Sequence, residues 1–456
     1  MADTGGGEGQ GPQPAPAAIP QDGLRQGTAS HPDNLLAASL LPLALVTSLA
    51  AAPPLTPVSP EFFSLSRASL GLLACAWASY LRSAVLRSAD TTGNLSITHV
   101  IVASITLALS PPLTSHLPPG HRAYVSYIIY WMMITFRPIM VLLIKKFPAS
   151  FSFGEAALIS QAVVLSGGAA LMKLVTLERW DTRSLALVVA RGLTHLQDSL
   201  ASNQAAAVAL VAAWALLVAA SVAVVALYNA RGWRVTTTTR KIFHAATVVV
   251  FVSGLQRCHL VLLASSYAAL GLMLGLETLR VSRLVPALST LLTQKLAHFL
   301  DAKDGGRLIL TNIYLLAGVS LPLWIHPGEV TPFAAPILPL YCGVISVGVA
   351  DTAAAVVGSA WGRVRWVAGR GRTVEGSAAA LLSSLLTVQL LSQLGGVAVA
   401  SWPAVLAAAA AVTLTEALSS QVDNLTLPLV MVTVLNMATS AADIGIFGTL
   451  RKILGL

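Results

Sequence analysis

The sequence predicts an all-α membrane protein, a polytopic transmembrane helical bundle with about 13 spans. The chain has 456 residues, of which 55% are hydrophobic and only 10% are charged, whereas soluble domains carry roughly 25% charged residues. Its mean hydropathy is +0.75. Apolar runs of about 18 to 25 residues recur, and each is long enough to cross a hydrocarbon core of ~30 Å as a helix. Helices are expected because each one satisfies its own backbone hydrogen bonds in lipid.

The chain divides into a tail and two membrane regions. Residues 1–34 are rich in Gly, Pro, Gln and Ala, and we expect a disordered N-terminal tail without a cleavable signal peptide. An N-terminal transmembrane region at 35–228 and a C-terminal transmembrane catalytic region at 229–456 follow. The stretch 178–203 mixes charged and apolar residues and is predicted to lie in the interface as an amphipathic helix. The predicted spans are 35–52, 67–86, 97–117, 122–144, 152–176, 204–228, 242–256, 258–278, 308–325, 334–357, 376–394, 401–419 and 425–448.

The loops of the C-terminal region predict its orientation. If the spans alternate, the loops 229–241, 279–307 and 358–375 share one side and hold thirteen Lys or Arg residues. The connections on the opposite side hold only Arg257. Cytoplasmic loops are enriched in Lys and Arg, so the basic side is predicted to face the cytosol. The net charge of +9 is spread over short loops and does not form the contiguous basic face that nucleic-acid binding requires.

The three cysteines, Cys75, Cys258 and Cys342, lie in or beside apolar stretches. They are too few and too scattered for a disulfide framework or a zinc site. We therefore predict that they are buried small apolar residues.

Two polar stretches on the basic side have weak functional signals. In 236–244 a run of threonines leads into Arg240, Lys241 and His244, which could donate to an anionic head group. The alternative is a stop signal with snorkelling cations. The second stretch, 299–307, contains two acids, a lysine and paired glycines, and is more often a solvated connection.

The third stretch has the strongest signal. Asp351 interrupts the apolar run 334–357, where an unpaired carboxylate costs a few kcal/mol, so function is the default hypothesis. Gly358 and Gly362 allow backbone or phosphate to approach closely. Glu375 could hold a metal or a ribose hydroxyl. Arginines are suited to phosphate, and the loop contains Arg363, Arg365, Arg370 and Arg372. The alternative explanation is helix packing through small residues beside a positive-inside loop.

The fourth stretch places Glu416 in an apolar run and Asp423 in the turn that follows it. The crossing count returns this turn to the basic side, so Asp351 and Asp423 could share a Mg²⁺ ion carried by a nucleoside triphosphate. The sequon at Asn424 would be unused on a cytosolic face. The sequence contains no Walker A run, kinase Gly-rich loop or Rossmann fingerprint. A nucleotide would therefore be held by membrane helices and their loops.

Together these stretches resemble the dolichol kinases, the CTP-dependent lipid kinases of the endoplasmic reticulum, and more broadly the polyprenol kinase family. The resemblance covers roughly residues 230–435, with a further match at 151–156. Two positions depart from the family pattern: Ala350 stands where the family usually has Gly, and Arg372 where it has Lys. The motifs that carry the resemblance are Thr239–His244, Leu308–Leu316, Ser320–Trp324, Asp351–Thr352 with Gly358, Arg365–Trp366, Thr373–Gly376 and Asp423–Leu425.

The resemblance implies transfer of the CTP γ-phosphate to the hydroxyl of dolichol, which gives dolichyl phosphate for protein glycosylation. It implies a CTP-binding loop at about 358–375, a divalent cation such as Mg²⁺, and an endoplasmic reticulum membrane location with the active site facing the cytosol. Asp351, Asp423 and His244 are the predicted catalytic residues, with both aspartates as metal ligands. The predicted nucleotide-binding residues are Gly358, Gly362, Arg363, Arg365, Trp366, Arg370, Arg372, Thr373, Glu375, Gly376, Arg240 and Lys241.

Several alternatives stay open at this point. The closest is a related kinase of phytol or diacylglycerol. A cytidylyltransferase would also use CTP but would release pyrophosphate. A transporter with Asp351 and Asp423 in its pathway predicts inverted repeats, and no convincing internal repeat is present in the sequence. Either a carboxylate or His244 could accept the hydroxyl proton.

Overall fold

The protein is largely helical in the part that the computed structural model describes. That part comprises residues 24–25, 33–52, 58–86, 97–108, 114–176, 194, 204–231, 237–296, 306–328, 337–366 and 371–454. Its helices include α1 (Asp33–Ala51), α2 (Pro60–Leu86), α3 (Ile97–Ala108), α4 (Pro119–Lys146), α5 (Phe153–Thr176), α6 (Gln204–Ala230), α7 (Thr237–Arg257), α8 (His259–Ser282), α9 (Pro286–Leu296), α10 (Thr311–Trp324), α11 (Thr352–Trp361), α12 (Val374–Gly395), α13 (Trp402–Leu418) and α14 (Asp423–Leu454). A 3₁₀ segment (Leu338–Tyr341) and a π-helical segment (Val344–Asp351) precede α11.

The all-α prediction is confirmed, because pairing between extended segments in these ranges is limited to isolated bridges. Among the described residues, eight helices are long and apolar enough to cross a membrane, so the chain is a multi-pass membrane protein, but the predicted count of about 13 spans is not confirmed. The eight are Asp33–Ala51, Pro119–Lys146, Phe153–Val175, Gln204–Tyr228, His259–Ser282, Val344–Trp361, Val374–Gly395 and Asp423–Ile446.

The remaining predicted spans differ from these eight in length or polarity. Helices α3, α10 and α13 have 12, 14 and 17 residues, and at 1.5 Å per residue none reaches ~30 Å. Helices α2 and α7 are longer but begin with polar turns. The predicted amphipathic helix 178–203 lies outside the described residues except for Thr194, as does most of the tail 1–34. The cysteine prediction is confirmed, since all three thiols are free and buried.

Helices α1 and α14 form the centre of the bundle. Helix α1 packs against α14, α2 and α5, while α14 also packs against α13 and α10. By contrast α6 is peripheral, since only 17% of its most apolar window is buried, against 78% for α1. The first and last parts of the chain therefore share one core. The boundary at 228/229 stays a prediction.

The segment around Asp351 departs from a regular α-helix. Within the predicted span 334–357, the described residues form a 3₁₀ turn, a π-helical segment that ends at Asp351, and most of α11. Val344–Trp361 is long and apolar enough to cross a membrane, so a span is found here but its helix is irregular. π-Helical turns are rare in proteins, and many of those that occur lie at functional sites. The π segment packs against α7, where a side chain at Gly348 would collide with Val248. This close packing brings the start of α7 beside Asp351.

Candidate functional site

A buried ion pair joins the start of α7 to the end of the π segment. The Nζ atom of Lys241 lies 2.6 Å from Oδ2 of Asp351, and the two side chains are only 11% and 12% exposed. Nε2 of His244, one turn after Lys241, lies 3.5 Å from the same carboxylate oxygen. It also lies 3.4 Å from Oδ1 of Asn424 at the start of α14. The structure therefore brings Asp351 together with two predicted site residues that lie about 110 positions before it, Lys241 and His244.

A second ion pair joins the loop before α12 to the start of α14. Nη2 of Arg372 donates to both carboxylate oxygens of Asp423 at 2.8 Å. Nε of Arg372 lies 3.3 Å from Oε1 of Glu416 near the end of α13. Nη1 donates to the carbonyl oxygens of Ser419, at 2.6 Å, and of Glu416. Arg372 thus joins the end of α13 to the start of α14, and all three nitrogens of its guanidinium group take part.

The two ion pairs belong to one electrostatic cluster. Burial alone lowers the pKa of Arg372, but the charges of Asp423, Glu416 and Asp351 outweigh burial and raise this pKa above its ordinary value. Asn424 links the two pairs, because it follows Asp423 in the chain and contacts His244, which lies beside Asp351. We call the end of the bundle that holds Lys241, Asp351, Arg372 and Asp423 the charged end.

The described residues on the two sides of the predicted nucleotide loop pair with each other beside this cluster. Arg365 and Thr373 form an antiparallel bridge, and the Val374 amide donates to the Val364 carbonyl at 2.8 Å. The Val364 amide donates to the Glu375 carboxylate at 3.2 Å. The side chains of Arg363 and Arg365 are exposed, whereas Trp366 bonds Ser377 through Nε1 at 2.9 Å. Arg370 lies outside the described residues.

Three glycines of this region, Gly358, Gly362 and Gly376, lie in close packing contacts. A Cβ on Gly358 would lie 3.1 Å from Oγ1 of Thr373, and a Cβ on Gly376 would lie 2.8 Å from the carbonyl oxygen of Ala354. A Cβ on Gly362 would lie closer still, 2.6 Å from Oγ1 of Thr373. Thr373 also caps α12, because its hydroxyl accepts from the Gly376 amide at 3.2 Å. Nucleotide binding by these glycines stays a prediction.

The described residues contain no group of three or more His, Cys, Asp or Glu side chains that could hold a metal ion. Asp351 and Asp423 are each paired with a cation. Mg²⁺ is commonly bound by one or two carboxylates together with substrate phosphates and waters. The two aspartates therefore fit an ion that arrives with a nucleotide better than a resident one, and their assignment as ligands stays a prediction.

Two residues of the cluster were not assigned a role from the sequence. Glu416 could have been assigned, because an acid in an apolar helix is a functional signal. Asn424 lies in the motif Asp423–Leu425, but its role was not predicted, since its contact with His244 joins residues 180 positions apart. The backbone of Arg240 lies in the first turn of α7, but its side chain is outside the described part of the chain.

The fold and the cluster define a class of protein: a multi-pass membrane protein with an ionic site at one end of its helical bundle. Comparison with known proteins makes the class more specific. The chain is 36% identical to the dolichol kinase of Mus musculus and 35% identical to that of Homo sapiens, in each case over 239 residues. It is 33% identical over 200 residues to the dolichol kinase EVAN of Arabidopsis thaliana.

These matches confirm the resemblance to dolichol kinases. The mammalian matches cover 50% of this chain and 44% of each relative, and the plant match covers 43% and 34%. The chain therefore spans less than half the length of these relatives. No family model matches the chain, and no solved structure does.

Proposed function

We propose that this protein is a lipid kinase that transfers the γ-phosphate of CTP to dolichol and forms dolichyl phosphate. The observation that carries the proposal is the convergence of two cation–carboxylate pairs, Lys241–Asp351 and Arg372–Asp423, at one end of an apolar bundle. Relatives named dolichol kinase at 33–36% identity support the choice of acceptor.

The two substrates require a site of this kind. A polyisoprenoid alcohol stays in the bilayer, while a nucleoside triphosphate stays in water, so the reaction has to occur at the interface. Phosphoryl transfer needs mainly positioning and neutralisation of phosphate charge. Lys241 and Arg372 supply positive charge where helix ends meet, and Arg363 and Arg365 extend it outward. On CTP binding, we expect the two buried cations to exchange carboxylate contacts for phosphate contacts.

The carboxylates released by this exchange would hold the divalent cation. Asp351 and Asp423 are the proposed ligands, and a bound Mg²⁺ ion would neutralise charge that develops on the phosphates. His244 is the proposed acceptor of the hydroxyl proton. Its Nε2 faces Asp351, while its buried Nδ1 has no hydrogen-bond partner among the described residues. A ring that a carboxylate orients through one nitrogen, with the other nitrogen left to accept a proton, is suited to act as a general base.

We further propose that the protein resides in the endoplasmic reticulum membrane with the charged end facing the cytosol. The excess of Lys and Arg in the loops 229–241, 279–307 and 358–375 supports this orientation. In sealed microsomes, a protease added outside should cleave within 358–375. Protection of this loop until the vesicles are opened would reverse the orientation.

The test is a transfer assay with purified protein in lipid vesicles. γ-Labelled CTP is supplied with dolichol, phytol or diacylglycerol, and matched reactions contain α-labelled CTP or γ-labelled ATP. We expect the γ-label of CTP in dolichyl phosphate and no α-label in any lipid. Label in phytyl phosphate or phosphatidic acid alone would support a related kinase. α-Label in lipid with γ-label in pyrophosphate would identify a cytidylyltransferase, and no labelled lipid would refute all of these enzymes.

A further inference from the structure

A second polar cluster lies at the charged end and has no part in the proposed chemistry. It joins four segments that are far apart in the chain: Arg25, the start of α1, the start of α5, and the turn 419–421 between α13 and α14. The α5 segment is the motif 151–156, which belongs to the family resemblance but supplies no group to the reaction. Its burial and its partners therefore call for another explanation.

The start of α5 is fixed by a capping box. The Glu155 amide donates to Oγ of Ser152, and the Ser152 amide donates to Oε2 of Glu155, both at 3.2 Å. Glu155 is also bound by both terminal nitrogens of Arg25, at 2.9 and 2.8 Å. The side chain of Glu155 is only 1% exposed. This helix end is consequently a rigid support.

Gln421 connects that support to the turn before α14. Oγ of Ser152 donates to Oε1 of Gln421 at 2.8 Å, and Nε2 of Gln421 donates to Oδ1 of Asn34 at 3.1 Å. Asn34 Oδ1 also accepts from the Gly154 amide at 3.0 Å. A Cβ on Gly154 would lie 2.7 Å from Cβ of Ala37 and 3.0 Å from Oε1 of Gln421. The close approach of these segments therefore requires a glycine at position 154.

Asp33 holds the same turn from the start of α1. Its Oδ2 atom accepts from the Ser420 amide at 2.6 Å, from the Ser420 hydroxyl at 2.8 Å and from the Ser419 hydroxyl at 3.1 Å. On the other side of the turn, the carbonyl oxygen of Ser419 accepts from Arg372 at 2.6 Å. Asp423 lies two residues after Gln421 in the chain. The turn is thus held from one side by the N-terminal segments and from the other by the candidate site.

We propose that Asp33, Asn34, Ser152 and Gln421 are positioning residues that hold the 419–423 turn, so that Asp423 and Arg372 meet nucleotide phosphates in the correct geometry. This inference rests on the proposed function and assigns a role to the motif 151–156. None of the four touches a reacting atom. Their loss should displace Asp423, and displacements of about 1 Å can cost on the order of 100-fold in rate.

The same pair of helices provides a matched control. Far from the turn, Nδ2 of Asn436 on α14 donates to Oγ of Ser48 on α1 at 3.1 Å, and both residues are buried. This contact lies about 20 Å along α14 from Asp423, at 1.5 Å per residue. Asn436→Ala therefore removes a buried amide hydrogen bond between the same two helices without reaching the charged end.

The experiment compares Gln421→Ala and Asp33→Ala with Asn436→Ala in the full chain. Two quantities are measured: amide hydrogen exchange of a peptide covering 419–423, and kinase kinetics for CTP and dolichol. We expect faster exchange and a loss of about tenfold in kcat/KM for CTP only in the first two variants. The KM for dolichol should change less than about twofold, because the lipid site does not depend on this turn. Asp33→Asn, which keeps one acceptor oxygen, should recover most of the loss.

The results separate a failure of this inference from a failure of the proposed function. Equal exchange and equal kinetics in Gln421→Ala and Asn436→Ala would overturn the inference, and so would faster exchange with unchanged kinetics. A wild-type chain without kinase activity would count against the proposed function instead. In that case the exchange comparison still decides whether the polar cluster holds the turn.

Discussion

The two ends of the helical bundle are joined by different kinds of contact. At the charged end, buried ion pairs link Lys241 to Asp351 and Arg372 to Asp423. At the opposite end, neutral hydrogen bonds join the helices: Nε2 of Gln256 donates to the Gly395 carbonyl at 3.1 Å and to the Tyr341 hydroxyl at 3.3 Å. Both sets of contacts connect helix ends, but only one of them carries buried charge.

This difference shows which contacts stability alone can explain. Neutral hydrogen bonds contribute roughly 0.5–1.5 kcal/mol each and leave no charge to desolvate. A buried ion pair repays its desolvation only with very good geometry, and apolar residues of similar size are often as stable or more so. The ion pairs at the charged end are therefore better explained by a task that requires charge. Substitutions at the two ends test that contrast.

The largest effect is expected at Asp423. Asp423→Asn keeps the shape of the side chain but removes the charge that faces Arg372 and the proposed metal ion. Loss of such an electrostatic contribution typically lowers the rate by about 100-fold or more. Labelled dolichyl phosphate formed per folded protein measures this loss. Gln256→Ala at the opposite end is the control, and equal activities of the two variants would abolish the contrast between the ends.

A smaller effect is expected at Arg372. Arg372→Gln removes a charged donor, and hydrogen bonds of charged groups contribute about 1.5–3 kcal/mol, which is roughly 10–100-fold in CTP affinity. Arg372→Lys should remain within about fivefold of wild type, because it keeps the charge while losing the two-pronged geometry. The apparent KM for CTP distinguishes the variants. A glutamine variant as effective as the lysine variant would show that charge at position 372 is not needed.

The smallest effect on activity is expected at His326, in the connection after α10 at the opposite end, because this residue affects the stability of the fold and not the charged end. Burial, reinforced by the nearby His259, lowers the pKa of His326 from 6.5 to about 4. As the pH falls, His326 is therefore protonated in the unfolded chain before it is protonated in the folded protein. Its contribution to the free energy of unfolding is fully present above pH 6.5 and decreases as the pH falls toward 4. At pH 5 the loss is about 2 kcal/mol. The unfolding temperature should fall less between pH 7.5 and pH 5 in His326→Gln than in wild type. An equal fall in the two proteins would contradict this assignment.

Much of this arrangement could be predicted from single segments of sequence. Apolar length predicted the eight spans found among the described residues, but also five segments that are shorter or more polar. Rare acids within or beside apolar runs identified Asp351 and Asp423. Lys241 and Arg372 were identified as basic residues of the adjoining polar stretches, suited to anionic groups. Each of these signals is local, because a charge in an apolar run is informative wherever its partner lies.

What could not be predicted depends on contacts between distant positions. The pairing of Lys241 with Asp351 joins residues 110 apart, and the contact of Asp33 with Ser420 joins residues 387 apart. The π-helical segment before Asp351 has no marker in a uniformly apolar run. Gly358 and Gly376 fit both close helix packing and ligand approach by sequence, and only the structure shows the packing against Thr373 and Ala354.

The most direct test of the central claim replaces the Lys241–Asp351 pair by apolar residues. In the double variant Lys241→Met/Asp351→Leu no buried charge is left unpaired, so we expect it to unfold at a temperature equal to or above that of wild type. Transfer of the γ-label from CTP to dolichol, measured on equal amounts of folded protein, should fall by about 100-fold or more. A stable double variant with activity within about twofold of wild type would contradict the claim that the charged end carries the reaction.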